Sequence, residues 1–315
     1  MADVVERAGG SASAGPHTVV SVVIVTVGRP VQLAASLAAY ESLAAGTPPF
    51  EVIVVLDGED PASRAVAQRP WRFPRTVLAQ PHRGIAAAKN LGVAHACADF
   101  VLFLNDDTRP AADCLFAHLE AQRRFGPCIV AGRVDWDPER EITPYMRWLA
   151  PAGHQFNFAR LEPDEPIGWD AVWGAHLGVP RAWLLDEPFD PDMSAAALED
   201  AEWAYRQIVR RGRPARYVPA ARAWHDHRYD GPADFRRRAR LAGAVGRQLA
   251  RRHPALHWPL VMRPVVAAVA ATLLAAWPGR WRRETAWDLD FRWNWSRGIL
   301  TPRHRQQFSQ GHRSA

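Results

Sequence analysis

The chain reads as an α/β protein with a mostly parallel central sheet, helices on both faces of that sheet, and a helical C-terminal extension. Three observations predict this. Four short β-branched or apolar runs, at 19–27, 51–56, 75–79 and 100–104, alternate with Ala- and Leu-rich stretches of helical spacing. The connections between them are short, as in a parallel sheet wrapped on both sides. The runs are apolar nearly throughout rather than alternating, as strands covered on both faces are.

Taken in order, residues 19–27 (VVSVVIVTV) form a buried strand that stops at Gly28-Arg29-Pro30. Pro30 suits the first turn of the helix predicted over 31–45, and Gly46-Thr-Pro-Pro ends it. A second strand over 51–56 runs into Asp57-Gly58, a short helix covers 61–68, and a weaker strand covers 75–79. Residues 84–96 are helical. The strand over 100–104 (FVLFL) breaks off into Asn105-Asp106-Asp107-Thr108. A helix then runs to about Phe125, followed by a strand over 128–134. Residues 135–169, rich in Pro, Trp and acids, read as loops or a lid. A strand-like piece over 171–179 comes next, then a helix over 198–211 with its acids first and its arginines last, as the helix dipole favours. Extended pieces over 215–218 and 223–226 lead to a basic amphipathic helix over 235–252.

With 315 residues, 48% of them hydrophobic, the chain can bury one large core or two modest ones. The expected organisation is a disordered leader over 1–17, a catalytic α/β domain over 18–230 and a basic, Trp-rich extension over 231–315. The leader lacks the basic start and apolar centre of a signal peptide. Three cysteines without a CxxC pair argue against a disulfide scaffold and suit a reducing, cytoplasmic compartment. Charge is unevenly placed. From residue 232 onward there are 16 arginines and four acids, a net +12, whereas the rest holds 23 bases and 29 acids, a net −6. Such a tail suits an anionic surface. Its apolar stretch, 265–277, is shorter than the roughly 20 residues a spanning helix needs, and Arg263 and Pro264 interrupt it further. Trp258, Trp277 and Trp281, with Arg280, Arg282 and Arg283, are placed like interfacial anchors. Two readings of the tail stand: a peripheral membrane contact, or a core helix packed on the first domain. No nucleic-acid-binding motif accompanies the arginines, and no nucleic acid is expected.

Right-handed crossovers bring the ends of parallel strands to one edge, so Thr26, Asp57 and Asp107 are expected at a common rim. Adjacent carboxylates at Asp106 and Asp107 repel unless a cation joins them, and a hard divalent ion is the natural partner. A cap or turn is the plainer use of the same residues.

Six segments, in order, resemble the motifs of the family-two glycosyltransferases. They are VVIVT26VGR29P30, VVL56D57G58ED60, G84IAAAK89N90LG92, L104N105D106D107, L198E199D200AEWAYR206 and W224H225D226H227. The resemblance covers roughly residues 19–227. It implies a GT-A (Rossmann-like) nucleotide-diphospho-sugar transferase fold and an inverting sugar transfer from a nucleotide-diphosphate donor of UDP, dTDP or GDP type. The acceptor would be a glycan, a lipid-linked molecule or a small molecule, in cell-envelope or glycoconjugate biosynthesis. It also implies roles. Thr26, Arg29, Asp57, Gly84, Lys89, Asn105 and Asp106 would contact the donor, Lys89 near its base or phosphates. Asp107 would bind Mg²⁺ or Mn²⁺, with His225 as a further ligand, and the ion would offset charge developing on the departing diphosphate. Asp200 would be the general base, and Glu199 would position the acceptor hydroxyl. The backbone at Trp173-Gly174 would line the cleft. His154, His176 and His227 are not assigned to the site.

Several positions depart from the family pattern. Leu56 and Asn105 each replace an Asp, Val27-Gly28 replaces Tyr-Asn, and Lys89 replaces an Arg and with it a bidentate fork. Two other readings are a non-catalytic nucleotide-sugar-binding module and a sugar nucleotidyltransferase. The latter needs a Gly-rich phosphate loop after the first strand, where this chain has Thr26-Val-Gly-Arg-Pro.

Overall fold

The structure is a computed structural model, and it describes residues 4–6, 18–150, 154–193, 195, 197–275 and 283–301. The strands are β1 Val4–Glu6, β2 Val20–Thr26, β3 Phe50–Asp57, β4 Arg75–Gln80, β5 Phe100–Leu104, β6 Thr108–Pro110, β7 Ile129–Trp136, β8 His176–Pro180 and β9 Ala215–His225. The helices are α1 Pro30–Glu41, α2 Pro61–Ala67, α3 Ile85–His95, α4 Cys114–Phe125, α5 Pro144–Leu149, α6 Arg181–Asp186, α7 Glu199–Tyr205, α8 Pro232–Arg252, α9 Arg263–Ala275 and α10 Arg283–Leu300.

One nine-stranded sheet runs in the order β1-β4-β3-β2-β5-β8-β7-β9-β6. β4, β3, β2 and β5 are parallel, as their apolar sequences predict. Within them the pleat sorts side chains to two covered faces. Val20, Val22 and Ile24 join Leu33, Leu37 and Tyr40 of α1 and Val66 of α2 in one cluster, while Val23 and Val55 face α3. Gly92 on α3 permits this second contact, because a Cβ there would run into the Val23 side chain.

The second half of the sheet departs from expectation. β8 pairs antiparallel with both β5 and β7, and β6 antiparallel with β9. Among the described residues the sheet therefore has four parallel and four antiparallel pairings rather than being mostly parallel. The run expected as a strand over 171–179 is extended only from His176, and a 3₁₀ turn occupies Trp169–Ala171. The two pieces expected over 215–226 are one strand, whose pairing with β7 slips between Gly132 and Arg133. The expected disordered leader contains the edge strand β1, with Val4 and Val5 opposite Ala79 and Leu78. The rest of residues 1–17 lies outside the described residues.

The chain divides into two compact units, one of residues 1–142 and 149–227 and one of residues 143–148 and 228–315. The second unit thus takes Thr143–Trp148 out of the middle of the first domain's sequence, a segment composition alone assigns to the lid. There Tyr145 and Trp148 pack against Trp287, and the Thr143 hydroxyl donates to the Tyr229 carbonyl at 2.6 Å. α8 and α10 cross closely at Gly243 and Gly298, each backed against the other helix's backbone.

The apolar stretch of the second unit is longer than its sequence suggests. Pro254–Ala275 is one helical run of 22 residues with a window of mean hydropathy 1.7, long and apolar enough by length and composition to cross a membrane. Pro264 does not break it. The run winds as a π segment over Trp258–Met262 just before it, the Trp258 carbonyl accepting from the Arg263 amide five residues on, and the Trp295 indole N–H of α10 donates to the Leu260 carbonyl at 3.3 Å. Trp277, Arg280, Trp281 and Arg282, read as anchors, lie outside the described residues.

Candidate active site

β2 and β5 lie side by side, and their carboxyl ends open at the same rim. The β5 strand ends at Leu104, and the chain then turns tightly, with the Thr108 amide donating to the Asn105 carbonyl at 3.0 Å. That turn buries both Asp106 and Asp107. Thr26, at the end of β2, donates its hydroxyl to Asp106 Oδ2 at 2.8 Å. Arg29, at the start of α1, spans the pair: one guanidinium nitrogen lies 2.8 Å from Asp106 Oδ1, the other 2.6 Å from Asp107 Oδ2. At the end of β9, His225 Nε2 stands 3.5 Å from the same Asp107 oxygen, and two residues beyond the strand His227 Nδ1 stands 3.8 Å from it.

Burial disfavours the charge of both carboxylates, and their surroundings split them. For Asp107, the effect of burial is outweighed by His225, His227 and Arg29, which hold it well below the usual carboxylate range. For Asp106, burial dominates and the neighbouring Asp107 adds to it, so its pKa is raised despite Arg29 and Thr26. The residues present fit a divalent cation: Asp107 offers a buried, ionised oxygen, and His225 Nε2 faces it at a distance one ion can bridge. Arg29 supplies the positive charge that the pair otherwise needs. Asn105, expected as a donor contact, contributes its carbonyl to the turn.

Asp57 stands at the end of β3 as expected, but its carboxylate is already engaged. Oδ1 accepts from the Gln80 side chain and the Arg83 amide, both at 2.8 Å, and Oδ2 accepts from the Gly84 amide at 3.0 Å with His82 Nδ1 also 3.0 Å away. Asp57 therefore holds the loop from β4 to α3 in shape. Gly84 is left-handed in that loop, at φ 93°, a conformation open to glycine.

The other half of the site is built on α7. Asp200 lies in its first turn, entered through Leu198 at φ 61°, a strained conformation for a branched side chain. Asp200 Oδ2 accepts from the Gly174 amide at 2.5 Å and Oδ1 from its neighbour Ala201 at 2.7 Å. Gly174 precedes β8, whose His176 pairs with Leu104. Leu104 opens directly into the Asn105–Asp107 turn, and the chain turns at Gly174 and Ala175 just before β8, the His176 amide donating to the Trp173 carbonyl at 3.1 Å, so Asp200 and the acidic turn stand at the same end of the β5–β8 pair. Gly174 must lack a side chain, since a Cβ would stand 2.5 Å from Lys89 Nζ and 3.2 Å from Asp200 Oδ2.

Lys89 is not placed as expected. Instead of reaching the phosphate side, its buried ammonium ion-pairs with Glu199 Oε1 at 2.9 Å and lies over the rings of Phe103 and Phe189. Glu199 is accordingly held by Lys89 rather than left open to an acceptor. Burial raises the Asp200 carboxyl, the charge of Glu199 adds to it, and Lys89 with the two amide donors offsets part, leaving it pushed up to about 6. Asn90 braces this arrangement: its amide donates to the Phe189 carbonyl at 2.8 Å and accepts from the Phe189 amide at 3.0 Å. The expected 198–211 helix changes winding after Tyr205 into a π segment, Arg206–Arg210. Trp173 packs edge-on against Phe156.

Two contributors were missed from the sequence. His227 approaches Asp107 together with His225, a placement the H-x-H spacing at the end of β9 signals. Asn90, inside a recognised motif, has a bracing role that no local pattern announces. His176, left unassigned, sits with Cys114 and His118 in a buried group whose ligand atoms lie within 4.8 Å of one another. His176 Nδ1 donates to the Arg133 carbonyl, so its Nε2 accepts, 2.8 Å from His118 Nε2 and 3.4 Å from Cys114 Sγ. Burial pushes the His176 pKa down to about 4, so the ring stays neutral and ties α4 to β8.

Residues 21–177 match the profile of Glycosyl transferase family 2. The chain is 30% identical over 187 residues to the pre-mycofactocin glycosyltransferase of Mycobacterium tuberculosis, an overlap of 59% of this chain and 39% of that protein. It thus spans well under half the length of that curated relative. Among solved structures, the mannosyltransferase PcManGT of Pyrobaculum calidifontis, in complex with GDP-Man and Mn²⁺, is similar with a TM-score of 0.61 at 17% identity, covering 91% of this chain and 88% of that one. S. aureus TarS 1–349 in complex with UDP is similar with a TM-score of 0.53 at 14% identity, covering 90% of each chain. With the six motifs at the rim of this sheet, the chain belongs to glycosyl transferase family 2 and has the GT-A fold.

Proposed function

We propose that the chain is an inverting glycosyltransferase that moves a sugar from a nucleoside-diphosphate donor to an acceptor hydroxyl. The observation that carries this reading is the pairing of two acidic centres at one rim: an acidic pair at Asp106-Asp107 and a half-buried carboxylate at Asp200 held by the Gly174 amide. Asp200, pushed up to about 6, is ionised near neutral pH yet basic enough to accept a proton. It would take the proton of the acceptor hydroxyl as that oxygen bonds to the anomeric carbon. The bond from that carbon to the diphosphate oxygen breaks on the opposite face, and the nucleoside diphosphate leaves with the bonding pair. A single displacement of this kind inverts the anomeric centre.

Asp107 and His225 would hold a divalent ion, Mg²⁺ or Mn²⁺, which when bound supplies positive charge against the departing diphosphate. Arg29 lies at the same carboxylates and would turn its guanidinium to the phosphates as the donor enters. Thr26 fixes Asp106, and the loop shaped by Asp57 and Gly84 frames the donor's nucleoside side. Support for the donor class comes from the similar folds solved with GDP-Man and with UDP. Support for the ion comes from the Mn²⁺ complex of the mannosyltransferase and from the acidic turn itself.

Donor turnover by the purified chain with UDP-, dTDP- and GDP-sugars and Mn²⁺ tests the proposal. Turnover of one donor class, lost in both Asp107→Ala and Asp200→Asn, is the expected result. Turnover untouched by both substitutions would overturn it, and nucleotide-dependent thermal stabilisation without any turnover would make the chain a binding module.

A further inference from the structure

Separate from the transfer reaction, the second unit carries an exposed apolar face. The helical run Pro254–Ala275 presents Trp258, Met262, Val266, Val269, Leu273 and Leu274 to solvent, each between 42% and 70% exposed. Their spacing keeps them to one side of the run. The other side is engaged: Val261 packs with Ala250 and Ile299, with Val265 and Trp295 against them, and Ala268 and Ala275 are buried. A contiguous apolar stripe of this kind marks an interface.

Its surroundings say which kind. Arg251 and Arg252 end α8 just before the stripe, Arg263 lies within the run, and Arg283 opens α10, all of them exposed. A second copy of the chain would set these arginines against each other at a two-fold contact, which costs affinity. A nucleic acid would use the arginines and leave the stripe in water. An anionic lipid surface satisfies both, burying the apolar face among acyl chains while the guanidinium groups meet headgroups.

Length and composition would also let the run cross a bilayer, but its packed side does not. Trp293 Nε1 of α10 donates to Thr272 Oγ1 at 3.0 Å, and Trp295 Nε1 donates to the Leu260 carbonyl. α10 also carries the Asp288–Arg292 pair and Asp290, which is paired with Arg236 of α8. A transmembrane placement would draw these charges toward hydrocarbon, which is costly. An in-plane placement leaves them on the water side, and the stem of Arg263 is long enough to reach the headgroups. We propose that this face docks the protein on an anionic phospholipid surface, with the Pro254–Ala275 run lying in the plane of the membrane rather than across it.

The test is co-sedimentation of the purified full chain with vesicles of phosphatidylcholine alone and of phosphatidylcholine with phosphatidylglycerol in equal parts, without donor, so that its outcome is independent of the transfer reaction. Expected are binding to the anionic vesicles, weakening as salt is raised, release by alkaline carbonate, and a loss of about tenfold or more in partition for Val266→Glu with Leu273→Glu. Both positions are exposed, and an unchanged thermal melt shows that the variant folds. Should it not fold, Arg251→Gln with Arg252→Gln carries the test, with loss of the preference for anionic vesicles expected. Equal sedimentation with and without phosphatidylglycerol, binding indifferent to the glutamates, or carbonate-resistant binding would overturn the proposal. So would a lipid-free dimer abolished by the same two glutamates, which would assign the face to a second copy.

Discussion

Glu199→Gln should move the acid limb of the rate profile to lower pH. The substitution removes a negative charge beside Asp200 while leaving an amide oxygen that can accept from Lys89, so the buried ammonium keeps a partner. Lys89 Nζ is 2.9 Å from Glu199 Oε1, and it and Asp200 Oδ2 flank the space over Gly174 at 2.5 and 3.2 Å from an ideal Cβ. These separations put the two carboxylates within about 9 Å of each other, which at an effective dielectric of ~20 is a repulsion of about 2 kcal/mol or more. Such an energy corresponds to roughly 1.4 pH units. Asp200, raised to about 6 by burial and then by Glu199, must be ionised to act as base, so activity falls as pH drops through that value. Relieving the repulsion lowers the pKa, and the midpoint of the acid limb should shift from near 6 to below about 5. The assay is single-turnover transfer from roughly pH 4.5 to 8, with Glu199→Asp as the charge-retaining control. An acid limb that stays in place or moves upward would refute either the basic role of Asp200 or the source of its raised pKa.

Other consequences are as direct. Lys89→Met leaves the buried Glu199 carboxylate unpaired and should cost about 3–5 kcal/mol in denaturant unfolding, most of it recovered in the double variant with Glu199→Gln. Gly174→Ala drives a methyl into the space between Lys89 and Asp200 and should lower kcat by about tenfold to a hundredfold, with a stability loss of about 1–3 kcal/mol in a thermal melt. Arg29→Ala leaves Asp106 and Asp107 without their guanidinium. The metal-free protein should lose about 1–3 kcal/mol, and Mn²⁺ should raise the Tm of the variant more than that of the wild type, as read by scanning fluorimetry.

How much was legible in the sequence depended on whether the determining partner was local. The strands over 20–26, 50–57 and 100–104 were readable because each is buried on both faces and says so in its own residues. Pairing direction has no such signature: nothing within His176–Pro180 distinguishes an antiparallel neighbour of β5 from a parallel one. Pro264 reads as a breaker because the π winding before it has no signature in the sequence and Trp295, which donates to Leu260, lies on another helix. The same division holds in the site. Asp57, Asp107 and Asp200 were locatable because strand ends and a helix start are visible in the chain. Their partners were not, since Arg29 reaches Asp107 across 78 positions and Lys89 reaches Glu199 across 110.

Those long-range pairings give the two halves of the rim a common electrostatic form. Each half gathers two carboxylates near one cation that the chain supplies, Arg29 bridging Asp106 and Asp107, and Lys89 pairing with Glu199 beside the half-buried Asp200. The halves differ in what a ligand could displace. Arg29 is partly exposed, so in the proposed reaction an incoming ion and diphosphate would exchange with it, the ion taking Asp107 and the phosphates taking the guanidinium. Lys89 is enclosed by Phe103, Phe189 and Glu199 and has no such exit. Its charge is therefore committed to Glu199, and the surplus negative charge of that half rests on Asp200, the one carboxylate there whose hydrogen bonds come from backbone amides rather than from a cation. With an enclosed lysine in one half and a partly exposed arginine in the other, the proposed transfer would let the Arg29 half change its charge with the donor while the Asp200 half accepts the proton.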